Sequence, residues 1–143
     1  MLVERIMSKP VVTVSMDDTL GVVKHIFENV NFHHLLVVEK GQLYGVISDR
    51  DLLKFISPFI GTLQETVHDK FTLNKKVHQI MSRKPITLTP TADVYEAISL
   101  FNQYSISCIP IVNEKHHPVG IVSWRDILRT IENNYNQKFD KTK

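Results

Sequence analysis

Two short stretches place a serine, an arginine and an aspartate where a strand should give way to a helix. They are Val46-Ile47-Ser48-Asp49-Arg50-Asp51 and Ile121-Val122-Ser123-Trp124-Arg125-Asp126, each following a glycine. An ionised carboxylate accepts two hydrogen bonds at once. Asp51 or Asp126 is therefore able to chelate the vicinal hydroxyls of a ribose, as acidic residues do in dinucleotide folds. A serine one turn earlier reaches the 5′ side or a phosphate oxygen, and the helix N-terminus beside it offers free N–H groups to an anion. Arg50 and Arg125 add charge-assisted contacts to phosphate. Ser-x-x-Asp ahead of a helix is also the form of a capping box, in which the acid returns to the serine N–H. A cap satisfies only some of the four orphan donors, so the two roles can coexist. Two occurrences in equivalent places favour the ligand role. A charge-preserving Asp→Glu change separates the two, because it keeps capping chemistry and misplaces a ribose chelate.

Such chemistry needs the serine and aspartate held at a strand-to-helix corner, and the surrounding sequence supplies that corner twice. Ile6-Met7-Ser8 returns as Ile80-Met81-Ser82, Val12-Thr13-Val14-Ser15 as Ile86-Thr87-Leu88-Thr89, and Phe27 as Phe101, all at one constant separation. One inserted residue later, residues 45–53 match residues 120–128. A period this long exceeds a solenoid unit and indicates a duplicated small domain. Two such copies are expected to pack about a pseudo-two-fold axis, so any cleft between them should occur twice, each built from both copies.

Within the first copy, residues 11–14 are β-rich, and Leu20, Val23, Phe27 and Val30 recur at helical spacing after the N-terminal signals Asp17, Asp18 and Thr19. Residues 35–38 form a continuous apolar run, the pattern of a strand covered on both faces. Residues 43–47 read as the next strand, and residues 49–56 as a helix closed by Ser57-Pro58. The second copy repeats the order with strands at 86–88, 109–112 and 119–122, a helix face of Val94, Ala97, Ile98 and Phe101, and a last helix at 124–131. Each copy is β-α-β-β-α, an α/β (α+β) class. The boundaries are repeat 1 at 1–58, a connector at 59–79, repeat 2 at 80–134 and a flexible tail at 135–143. Leu63, Val67, Phe71, Leu73 and Val77 mark the connector as partly helical and packed.

The chain has 143 residues, 43% hydrophobic and 22% charged, as an ordinary globular protein does. A unit of about 60 residues buries only about 60% of its unfolded surface, so the halves are expected to share a core. The net charge of +2 is interspersed and gives no nucleic-acid footprint. Lys138, Lys141 and Lys143 read as a frayed, solvated end. The lone Cys108 excludes an internal disulfide and fits a reducing cytosol. No apolar run approaches the ~20 residues of a membrane span, and the first repeat starts too early for a signal peptide. The expectation is a free-standing cytoplasmic protein, with no membrane and no nucleic-acid partner.

Taken with Ile109-Pro110-Ile111-Val112, the two junctions resemble the tandem cystathionine-β-synthase-type (CBS) domain pair, over nearly the whole chain. The resemblance implies one CBS-pair module that regulates by binding AMP, ADP, ATP or a related adenosyl compound as a ligand, with no other cofactor. It also implies a disc-like homodimer formed through the helices after each junction, and a separate, unidentified regulated protein. Carried over, Ser123, Arg125, Asp126 and Ile121 would face Pro10, Val12, Phe32, His33 and His34. Their counterparts Ser48, Arg50, Asp51 and Val46 would face Pro85, Ile86, Ile106, Ser107 and Cys108. The apolar members would sandwich an adenine. Leu36 departs from the pattern where the second copy has Pro110, and His33-His34 fills a segment where small residues are common, so the two sites are expected to be unequal.

Adjacent strand residues point to opposite faces, so His33-His34 cannot readily chelate a metal through both rings, and His116-His117 lies in a turn. No metal site is expected. Trp124 reads as partial core or a dimer contact, Met7 and Met81 as core filler, and Cys108 as a small hydrophobe. The chain lacks a Gly-rich phosphate loop, Cys-x-x-Cys and His-Glu-x-x-His, and each cleft offers one carboxylate, so no enzyme is expected. The competing class is a structural, protein-interaction module with no nucleotide ligand.

Overall fold

Thr13–Val14 (β1), Leu20–Asn29 (α1), His34–Glu39 (β2), Gln42–Ser48 (β3) and Asp49–Phe55 (α2) follow one another as β-α-β-β-α. The computed structural model describes residues 1–140. The connector carries Val67–Phe71 (α3) and Val77–Ile80 (α4), then Ser82–Arg83 (β4). The second copy follows with Val94–Gln103 (α5), Cys108–Val112 (β5), Pro118–Ser123 (β6) and Trp124–Asp140 (α6). The chain divides into two compact units along lines other than the repeats. Val12–Pro85 is one, called here the Asp51 unit; residues 1–11 together with the chain from Ile86 onward form the Asp126 unit.

In the Asp51 unit the sheet order is β1-β2-β3-β4. β1 runs parallel to β2 with Val14 beside Val37, β3 runs antiparallel to β2 with His34 beside Ser48, and β4 borders β3 with Ser82 beside Val46. Lys40 (φ 51°) and Gly41 (φ 80°) both take positive φ, as a two-residue hairpin turn demands. Thr19 caps α1 by accepting the Val22 N–H at 3.3 Å. The pleat sends Leu35, Val37 and Ile47 to one face, where Leu20 and Val23 of α1, Leu52 of α2, Val77 and Met81 complete a cluster. Leu36 is buried as well, as expected for a strand covered on both faces.

The Asp126 unit repeats this plan with thinner edges. β5 and β6 pair antiparallel, Cys108 beside Ser123. The strand expected at 86–88 is reduced to a single parallel bridge between Leu88 and Ile111. Pro110 explains the loss. In the other copy the Leu36 N–H donates to Val12 O at 3.1 Å, and a proline in that place has no N–H to give. The opposite edge is Ser8, bridged to Ile121. Residues 1–8 thus border the second copy's sheet, and residues 82–83 border the first copy's.

Each unit has its own cluster, the second built on Val3, Ala92, Ala97, Ile109, Ile111, Val122 and Ile127. The connector is not packed throughout. Val77 is buried, but Leu63, Val67 and Phe71 are exposed. Polar bonds hold α3 instead: a Thr66–Asp69 capping box, Ser57 Oγ donating to Asp69 Oδ1 at 2.8 Å, and Ser57 N donating to Thr72 Oγ1 at 3.1 Å. The Thr66 N–H and Ser57 hydroxyl hold the Asp69 carboxyl below its ordinary value. α6 passes the end expected at residue 131 and runs to Asp140, supported by Tyr135 and Phe139 one turn apart with ring centroids 4.6 Å from each other. Lys141 and Lys143 of the basic tail lie outside the described residues. Among the described residues no helix is long and apolar enough to cross a membrane.

Candidate functional site

The Asp51 junction forms where β3 ends and α2 begins. Ser48 takes an extended backbone (φ −99°, ψ 163°), and its Oγ accepts the Asp51 N–H at 3.0 Å. Asp51 Oδ2 in turn accepts the Ser48 N–H at 3.0 Å, closing a capping box. Asp51 is half-buried, and its Oδ1 takes no hydrogen bond among the described residues. Arg50 is exposed and in no ion pair among the described residues. The start of β2 lies alongside: His34 is in register with Ser48, His33 Nδ1 hydrogen-bonds Asp49 Oδ2 at 2.8 Å, and the Asp49 N–H donates to His33 O at 3.0 Å. Burial lowers the His34 pKa below the histidine norm, opposed by the nearby Asp49 carboxylate. Phe32 stands 39% exposed.

The glycine before each junction has a steric cause. A Cβ on Gly45 would lie 2.7 Å from Met81 Sδ and 2.8 Å from Ser82 O, and one on Gly120 would collide with Met7 Sδ. Met7 and Met81 cross over the glycines and pack against the cores, as core filler should.

At the Asp126 junction the same spacing yields a different set of bonds. Asp126 Oδ2 accepts the Ser123 N–H at 2.8 Å and the Ser123 hydroxyl at 3.2 Å, so this serine gives its hydroxyl to the acid. Asp126 Oδ1 accepts the Ser8 hydroxyl at 3.2 Å and lies 3.7 Å from Arg129 Nη1. Asp126 is 5% exposed, and among the described residues it alone is both charged and buried. Arg125 is exposed. Trp124 is 58% exposed; its ring stands edge-on to Phe101 at 6.3 Å, and its Nε1 donates to Ile106 O at 3.3 Å.

Within its own unit, then, the structure brings His33, His34 and Val46 beside Ser48 and Asp51, with Val12 on the neighbouring β1 side and Phe32 exposed just ahead of His33. It brings Ile106, Cys108 and Ile121 beside Ser123 and Asp126. Ser107 adjoins buried Cys108; Pro10, Pro85 and Ile86 stand at the ends of the segments that divide the units. Sequence reasoning passed over Ser8, Arg129 and Asp49. Ser8 was visible as part of the repeated Ile-Met-Ser, which marks the period and says nothing of a bond to Asp126.

The chain belongs to the CBS domain family, whose model matches residues 3–58 and 77–133. A CBS domain-containing protein of Dictyostelium discoideum is 35% identical over 129 residues, covering 89% of this chain and 88% of that protein. An inosine-5′-monophosphate dehydrogenase of Methanocaldococcus jannaschii is 28% identical over 88% of this chain, which spans only 23% of the enzyme. A CBS domain pair crystallised with 5′-methylthioadenosine and S-adenosyl-L-methionine is 27% identical, with a TM-score of 0.75 and coverage of 94% of this chain and 98% of that one.

Proposed function

We propose that this chain is a non-catalytic regulatory module that binds an adenosyl compound, whether AMP, ADP, ATP or a sulfonium relative, and uses Asp51 to hold the ribose. The observation that carries the reading is the Asp51 carboxylate. One oxygen is fixed by the Ser48 N–H, which orients the group, and the other is left to accept from a ligand. Exposed Arg50 beside it supplies charge for a phosphate. Support comes from the related CBS domain pair that carries 5′-methylthioadenosine and S-adenosyl-L-methionine. Ser48, Val46, Ser123, Arg125, Asp126 and Ile121 are assigned to the same role at their junctions, together with the edges named from the resemblance.

The module works in the cytoplasm as a homodimer and acts on a separate protein by linkage. Trp124, Leu128, Ile131 and Tyr135 form an exposed apolar stripe on α6 at spacings of four, three and four residues, which supports pairing through that helix. A ligand that prefers one arrangement of the chain couples to a partner with the same preference, by about 1–3 kcal/mol in typical cases. Buried Asp126 favours a second reading, a protein-interaction module with no nucleotide. A thermal-shift screen across AMP, ADP, ATP, NAD and S-adenosylmethionine separates the two. A ligand at 100 times its dissociation constant adds ~2.7 kcal/mol, and no shift with any of the five defeats the binding reading.

A further inference from the structure

Residues outside the motif hold the Asp126 carboxylate, and their counterparts do not hold Asp51. Ser8 reaches Asp126 on a segment stitched to its unit: the Ser8 N–H donates to Ile121 O at 2.8 Å, the Ile121 N–H returns to Ser8 O at 3.2 Å, and Val3 upstream is fully buried. Arg129 comes from the next turn of α6. With Ser123 on Oδ2, both carboxylate oxygens of Asp126 are engaged. A ribose diol requires two open acceptor positions. In the other copy Ser82 takes the place of Ser8 and Lys54 the place of Arg129; both are exposed, and among the described residues neither bonds Asp51.

We infer that Ser8 and Arg129 form a latch that keeps the Asp126 carboxylate from ligand, so that the two junctions bind in order, Asp51 first. The latch rests on the adenosyl-binding reading above and adds its regulation. Apparent affinity at Asp126 is the intrinsic affinity reduced by the fraction of chains in which the latch is open. Ser8 and Arg129 are positioning residues; neither contacts the ligand. Because Ser8 lies on the N-terminal segment, anything that draws that segment off Ile121 also frees Asp126.

Isothermal titration of the full chain with AMP tests this, with 2′-deoxy-AMP as the probe that lacks the diol. The unaltered chain takes up one AMP. Ser8→Ala combined with Arg129→Gln takes up two, the second site tightening at least tenfold and discriminating against the deoxy probe. Ser8→Thr retains the hydroxyl and stays at one. Where the double variant fails to fold, as read by circular dichroism, Ser8→Ala alone carries the same test. Two equal sites in the unaltered chain, or a folded variant that matches it in stoichiometry and affinity, overturns the latch and leaves the ribose role standing. No heat in any chain with AMP, ADP, ATP, NAD or S-adenosylmethionine overturns the binding reading, and the latch with it.

Discussion

The Asp51 and Asp126 junctions share one spacing and one backbone plan, yet one carboxylate is half-buried with an oxygen open and the other is 5% exposed with both oxygens engaged. The difference lies in residues outside the motif: a serine hydroxyl that turns inward in one copy, and an arginine where the other has lysine. The same divergence recurs along the two sheets. Leu36 donates to the neighbouring strand and Pro110 cannot. Glu39 Oε1 accepts from the Ser15 hydroxyl at 2.7 Å and the Met16 N–H at 2.8 Å, whereas Asn113 serves its own hairpin, accepting from Lys115 N and His117 N. A cleft of about 650 Å³ lies there beside Thr89. Duplication preserved the scaffold and let the polar side chains drift, so equivalence of motif does not guarantee equivalence of site.

The cores provide the largest expected contrast. Ile47 and Val122 occupy the same place in the two copies, and both are fully buried. Ile47→Ala should cost about 3 kcal/mol and Val122→Ala about 2 kcal/mol, read from urea midpoints. The reverse order would mean that the Asp126 unit holds the tighter cluster.

The glycines give the next contrast. Gly45→Ala meets the Ser82 carbonyl as well as Met81, and backbone yields less than a thioether, so it should cost about 2 kcal/mol. Gly120→Ala meets only the Met7 side chain among its nearest neighbours and should cost about 1 kcal/mol. Equal costs would show that Met81 and Met7 govern both positions.

Removing each aspartate tests the comparison at its centre. Asp126→Ala strands the Ser123 N–H, the Ser8 hydroxyl and Arg129, at about 2 kcal/mol of stability. Asp51→Ala loses one arm of a capping box, about 1 kcal/mol, and reduces AMP affinity by at least tenfold. Calorimetry and denaturation on the same samples check both. Equal stability losses would mean that Asp126 is held no more firmly than Asp51.

The smallest effect is a pH dependence confined to one copy. Hydrogen bonds from Ser15 and the Met16 N–H hold the Glu39 carboxyl below its ordinary value. A depressed folded-state pKa contributes stability that is present above the unfolded value of about 4.3 and is lost as pH falls through the folded one. Urea midpoints from pH 6 to pH 3 should therefore fall less steeply in Glu39→Gln than in the unaltered chain. Asn113→Asp should reproduce the effect only in part, because Thr89 keeps the hydroxyl that Ser15 supplies but Pro90, where Met16 stands in the other copy, has no N–H to give. Identical slopes with and without Glu39 would remove the distinction.

Much of this was legible before any coordinate. The apolar run at 35–38, the helical spacing from Leu20 to Phe27 and the Thr19 cap are short-range signals, and each marks an element within a residue or two of its observed limits. The cap at Ser48 and Asp51 was likewise readable, since its bonds span three residues. The missing strand at 86–88 had its cause on view in Pro110, but only strand pairing turns a proline into a lost ladder. Leu63, Val67 and Phe71 stand exposed where their type predicts packing, because hydrophobic type does not reveal whether a surface lies opposite to cover it.

Taken alone, the order of residues determined the twofold β-α-β-β-α plan and the two capped corners with their acids, because periodicity and capping depend on neighbours a few positions apart. Tertiary structure decided which segment borders which sheet and which acid stays open. The bond from Ser8 to Asp126 joins residues 118 positions apart, and no local pattern specifies a contact of that range.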